Sequence, residues 1–180
     1  MSLSLVSASS GGFQPLTADD LKRLQVAQFN HDETYHREIA RLPVQRRLTH
    51  MTLHFAKYCG RMLGDQEDEE QTIADVFAIT LSSANILSLT LTPLAHPEKQ
   101  PTRAEFVRAL GIAMGRMSAA CEKLDHLEDF PFRQTLKESV SNIAEATLAY
   151  SAAQGWNLKS LVTTRLNDVR SGAFLPGLTS

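Results

Sequence analysis

The sequence predicts an all-α helical bundle. Every segment with clear hydrophobic periodicity repeats at three and four residues, and no stretch alternates with the period of two that a half-buried strand requires. Helix-capping residues precede those segments, and Gly or Pro follows most of them. A chain of 180 residues that is 43% hydrophobic is long enough to bury a core without disulfides or a structural metal. The simplest organisation is a flexible Ser/Gly-rich segment over 1–16, one helical domain over 17–172 with possible halves 44–92 and 103–155, and a tail over 173–180.

The elements follow in order. Thr17 with Asp20 forms a capping-box start for a first helix through about Phe29. Asp32 is placed to cap a short second helix that ends near Leu42, before Pro43. A third helix, about Val44 to Leu63, stops at Gly64. Asp68 with Gln71 opens a strongly apolar fourth helix through Ile73, Val76, Phe77, Leu81, Ala84, Leu87 and Leu91, which suits the buried centre of a bundle. Pro93, Pro97 and Pro101 mark a linker. Thr102 and Glu105 then make the best capping box in the chain, for a helix from about Arg103 to Leu127 that breaks at Asp129, Phe130 and Pro131. The next helix runs to Gln154 and stops at Gly155. Asn157 caps a last amphipathic helix that ends at Gly172. Asp75 overlays loosely on Asn142, so the two halves read either as an ancient duplication or as two unrelated hairpins.

Composition excludes several functions. The formal net charge of -2 offers no global attraction to nucleic acid. No run approaches the roughly 18 apolar residues of a membrane span, and the start MSLSLVSASSGGFQPL has neither the basic leader nor the long apolar run of a secretory signal. Cys59 and Cys121 are far apart and embedded in apolar helical patterns, so they read as reduced core residues of a cytoplasmic protein. Glycine-rich phosphate loops, paired CxxC motifs and a GxSxG elbow are all missing. The chemistry left is that of side chains on facing helices, chiefly metal-assisted hydrolysis, redox at carboxylate-bound metals or nucleotide binding.

The third helix carries the strongest functional signal. Val44, Leu48, Met51, Phe55, Tyr58 and Met62 form an apolar line that should face the core. About 100° around the helix, Arg47, His50, His54, Lys57 and Arg61 form a second line of cationic and imidazole side chains bordering that core. Three readings stand open. His50 and His54, spaced i and i+4, present two imidazoles to one metal and, with Asp75 or Glu70, would make a nitrogen and oxygen set suited to zinc, manganese or iron. The line of His50, His54, Lys57 and Arg61 would instead contact phosphate directly. Or the line pairs with Glu67, Asp68, Glu69, Glu70 and Asp75 across the hairpin. His31 and His36, five apart, do not share a helical face. Trp156 suits a core anchor for the last helix.

The order of a helix, a short acidic turn, the apolar helix IADVFAITLSSANIL and then GWNLKSLVTTRLNDVR resembles the all-alpha nucleoside triphosphate pyrophosphohydrolases, the MazG-like group. That resemblance covers about Leu48 to Arg170. It implies a bundle in which an ExxE helix faces an ExxD helix, four carboxylates hold magnesium, and the bond between the alpha and beta phosphates of a nucleotide is hydrolysed. It also implies a homodimer and a closing element, here Gly155, Trp156, Asn157 and Leu158, followed by Arg165 and Arg170 of a basic helix. The chain departs from this pattern at the metal. HMTLH stands in place of ExxE, and Thr72 with Asp75 stands in place of ExxD, so one acid of the four remains. Magnesium prefers several hard oxygen ligands. The reading is a MazG-like protein that binds a nucleoside triphosphate or other phosphorylated ligand, with a divalent ion (Mg, Mn or Zn) where one is used and weak or no hydrolysis. The alternative is a non-catalytic helical module for assembly.

Overall fold

A computed structural model describes residues 15–64, 68–94 and 100–170, and among them all regular structure is helical. The helices are α1 (Ala18–Tyr35), α2 (Arg37–Ala40), α3 (Val44–Gly64), α4 (Glu69–Leu87), α5 (Arg103–Asp125), α6 (Phe132–Ala153) and α7 (Leu158–Arg170). Residues 1–14, 171–180, Glu67, Pro97 and the stop expected at Gly172 lie outside the described residues.

Local capping chemistry sets most helix starts. Thr17 Oγ1 accepts the Asp20 N–H and Asp20 answers by accepting the Thr17 N–H, both at 3.1 Å. Thr102 and Glu105 repeat the arrangement at α5, Asp68 accepts the N–H groups of Glu70 and Gln71 at α4, and Asn157 accepts the Ser160 N–H at α7. Each bond satisfies a donor that the first turn of a helix leaves unpaired. At the other end of α6, Gly155 adopts φ +74, and the Trp156 N–H reaches back to the Ser151 carbonyl at 2.9 Å.

Two boundaries differ from the sequence reading. α1 runs through Asp32 to Tyr35, so the expected second helix shrinks to the single turn of α2. Asp32 does not cap it, because its carboxylate accepts hydrogen bonds from Gln28 Nε2 at 2.8 Å and from Ser82 Oγ of α4 at 2.7 Å. A tertiary partner thus outcompetes the local cap. α4 ends at Leu87 rather than Leu91: Ser88 turns left-handed at φ 51, and the Leu89 N–H closes onto the Ala84 carbonyl. Gln25 of α1 then holds the departing chain, donating to the Leu89 carbonyl and accepting from the Leu91 N–H.

Packing forms a ring of four helices, α3 on α4, α4 on α6, α6 on α5 and α5 on α3. Only residues 65–68 join α3 to α4, so these packed neighbours run in opposite directions. α1 and α7 cover the outer side of α4 and touch each other. That enclosure explains why α4 has buried residues around its circumference, among them Ile73, Asp75, Phe77, Thr80 and Leu81. The α3 line Leu48, Met51, Phe55, Tyr58 and Met62 is buried as the periodicity requires, while Val44 at the helix start is exposed. One continuous core draws on α1 and on α3 through α7. Cys59 and Cys121 are free and buried, and Trp156 packs against the core edge-on to Tyr150. Asn142 is exposed whereas Asp75 is buried, so the overlaid positions have different surroundings. No described helix is long and apolar enough to cross a membrane.

Leu127 follows α5 with φ 57 and is 89% exposed. A branched side chain there meets the left-handed steric penalty without any packing return. Leu127→Gly should therefore stabilise the protein by about 1 kcal/mol, read as a raised midpoint in urea unfolding.

Candidate functional site

α1, α2, α3, α4 and α7 enclose a cavity of about 210 Å3. From α3 come His50, Met51, His54, Lys57, Tyr58 and Arg61, which share one helical face. Asp75, Ala78, Ile79 and Ser82 come from α4, and Arg165 and Leu166 from α7. Gln28, His31 and Asp32 line the α1 side, with His36 and Ile39 beyond it. The four residues expected to contact phosphate, His50, His54, Lys57 and Arg61, therefore meet Asp75 in one place. Glu70, in the first turn of α4, is not among the lining residues.

Asp75 is 5% exposed, and both its oxygens face guanidinium groups. Arg165 Nε donates to Oδ1 at 2.5 Å, and Arg61 Nη1 lies 3.7 Å from Oδ2. Partners of this kind replace the water that a carboxylate loses on burial. Arg61 and Lys57 also sit over the Tyr58 ring, at 5.3 and 4.5 Å from its centroid, where the ring face attracts cations. The cavity thus holds the cations Lys57, Arg61 and Arg165 against the carboxylates Asp32 and Asp75.

His50 and His54 are in direct contact, with Nε2 to Nε2 at 3.1 Å and the rings edge to face. One ring donates and the other accepts, which two neutral imidazoles satisfy and two protonated ones cannot. Their surroundings enforce neutrality. Burial, then Lys57, His50, His36 and Arg61, push His54 down to about 4. Burial, His36 and Lys57 also lower His50, against a weaker opposing pull from Glu38. At neutral pH these rings are hydrogen-bonding groups, and the positive charge belongs to lysine and arginine.

The donor set does not fit magnesium. The cavity's two carboxylates are already engaged, Asp75 by arginines and Asp32 by Gln28 and Ser82, so neither presents the free oxygens a hard ion prefers. The 3.1 Å between the two Nε2 atoms is a span that two adjacent ligands of one transition metal cover. Among the described residues, however, no group of three or more His, Cys, Asp or Glu is placed to complete such a set. Of the hairpin ion pairs expected between the stripe and the following acids, Arg61 with Asp75 is present. Glu69 instead accepts from Tyr150 and lies 3.6 Å from Arg103.

Sequence spacing missed several cavity residues. His31 and His36 do come together, with ring centroids 5.3 Å apart. α1 ends at Tyr35, and His36 leaves helical geometry at φ -129 and ψ 40, so the rule about helical faces no longer applies to the pair. Gln28 and Ser82 carried no signal, because their partners are brought together only by folding. Arg165 was marked by the resemblance alone, as part of a basic last helix. Compared with known proteins, the chain matches no family model, no curated protein and no solved structure.

The lowered His54 value links folding to pH. Between the ordinary value of 6.5 and about 4 the unfolded chain takes up a proton at this position that the folded chain refuses. The contribution to stability is present above pH 6.5 and is lost as pH falls through that window. His54→Gln should flatten the decline in melting temperature between pH 7 and pH 4.5 relative to the unaltered protein. Parallel declines in the two proteins would refute this role.

Proposed function

We propose that the chain is a binding protein for a phosphorylated ligand, a nucleoside triphosphate or another phosphate ester, held at the cationic side of this cavity, with slow or no hydrolysis. The observation that carries the reading is the convergence of Lys57, Arg61 and Arg165 on one cavity, with the imidazoles of His50 and His54 beside them as hydrogen-bonding groups. Phosphate oxygens accept several hydrogen bonds and favour Lys and Arg. Asp75 acts as an internal counter-charge that holds Arg61 and Arg165 in place when no ligand is bound. Hydrolysis in the MazG-like manner needs metal-bound carboxylates, and the engaged state of Asp32 and Asp75 argues against it.

Titration calorimetry with nucleoside triphosphates and inorganic phosphate tests the reading. Lys57→Ala should weaken binding by about tenfold to a hundredfold, the range for a lost charge-assisted hydrogen bond, with the melting temperature preserved because Lys57 is exposed at its helix. Pyrophosphate release with magnesium should stay at background. Absence of any phosphate binding by the unaltered chain would sink the proposal.

A second reading, assembly between copies of this chain, draws on a different surface. Leu53, Ala56, Gly60 and Leu63 follow one another at three- and four-residue spacing and are all exposed, with Leu53 at 64% and Leu63 at 70%. Nothing lies within 4 Å of a side-chain carbon built at Gly60, so another helix has room to approach there. If the stripe joins two copies, Leu53→Lys with Leu63→Lys should convert a dimer to a monomer in sedimentation without lowering the melting temperature. A monomeric unaltered protein would dismiss the interface.

A further inference from the structure

The α1 side of the cavity carries polar atoms with nothing to bond to. Gln28 is 4% exposed, and its Oε1 is buried without a hydrogen-bond partner. Its orientation is chemically fixed, because the amide nitrogen donates at 2.8 Å to Asp32 Oδ1, an oxygen that can only accept. The His31 side chain is 9% exposed, and both its ring nitrogens are buried without hydrogen bonds. Asp32 Oδ1 lies 3.8 Å from Nδ1, beyond hydrogen-bond reach. Tyr35 and His36 pack against the ring and keep it in place. Buried polar groups are seldom left unsatisfied, and each one carries a desolvation cost.

We propose that Gln28 and His31 form a second subsite that recognises the uncharged, hydrogen-bonding part of a compact phosphate ester whose phosphate sits at the Lys57 and Arg61 side. The inference rests on the phosphate-binding reading above and narrows it. Gln28 Oε1 requires a donor. The two ring nitrogens of His31 are able to supply an N–H and a lone pair. The complementary ligand therefore brings at least one donor and one acceptor close together, as neighbouring hydroxyls or a carboxamide do. Inorganic phosphate lacks that second part, and an alkyl phosphate would leave the buried atoms unmet. The volume of about 210 Å3, below the range of roughly 300–1,000 Å3 typical of larger ligands, suits a small monoester lying wholly within the cavity. Met51, Ile79 and Leu166 supply apolar wall to the same cavity.

Calorimetric titration of the full chain with inorganic phosphate, n-pentyl phosphate and ribose 5-phosphate separates the claims. Ribose 5-phosphate should bind about tenfold or more tighter than pentyl phosphate, the scale of a buried group going from unmet to satisfied. In His31→Phe that ratio should fall severalfold while the affinity for inorganic phosphate stays within about twofold. The same substitution should hold or raise the melting temperature, since it removes two unmet buried nitrogens. Gln28→Met provides the same comparison should His31→Phe not fold. Equal binding of the two esters by the unaltered chain would mean that water serves Gln28 and His31, and would overturn the subsite while leaving the phosphate reading intact. Preference for ribose 5-phosphate that survives in both variants would also overturn it. Failure of all three probes to bind would remove the phosphate reading and the subsite together.

Discussion

The ion pair between Asp75 and Arg165 is the constraint on which the rest of the arrangement depends. Asp75 projects from a helix enclosed by α1, α3, α6 and α7, where an ionised carboxylate without partners would cost several kcal/mol. α7 supplies Arg165 at 2.5 Å, and α3 supplies Arg61 to the other oxygen. The last helix therefore has a required position over α4 beyond what its apolar residues specify. Apolar burial of Leu158 and Val162 holds α7 against the core, and the arginine selects its register.

The same helix organises its other polar residues in two ways. Thr72, Thr80 and Ser83 return their hydroxyl protons to carbonyls one turn earlier, which satisfies them locally. Ser82 instead donates across to Asp32 of α1, 50 residues away in sequence. That bond, together with Gln25 at the end of α4, docks α1 along the central helix. The cavity lies between these two attachments and the α7 ion pair. It is polar because the groups that hold the helices together also line it.

Charge in the cavity is divided by chemistry. The guanidinium groups and Lys57 bring the positive charge, whereas burial first and nearby cations second disfavour the charged forms of His50 and His54. The cavity lining thus brings together positive charge from Lys57, Arg61 and Arg165 and the hydrogen-bonding rings of His50 and His54. Both carboxylates of the cavity are engaged by protein donors, Asp75 by arginines and Asp32 by Gln28 and Ser82, and this supports the proposed reading of the site as one for anions.

The amino-acid sequence by itself determined the all-α class, the capping boxes at Thr17 and Thr102, the start of α4 at Asp68, and the buried line of α3. These depend on contacts within a few residues, so periodicity and capping chemistry report them directly. It also marked His50, His54, Lys57, Arg61 and Asp75, because one helical stripe next to a short turn must approach the following helix. Tertiary structure decided that α1 continues through Asp32, that His36 turns back onto His31, that Gln28 loses its acceptor's partner, and that Arg165 neutralises Asp75. Behind the first and the last of these lie pairs 50 residues apart, Asp32 with Ser82, and 90 apart, Asp75 with Arg165. No local pattern encodes such pairs, since the energy that selects them arises only when packing has removed water from both partners.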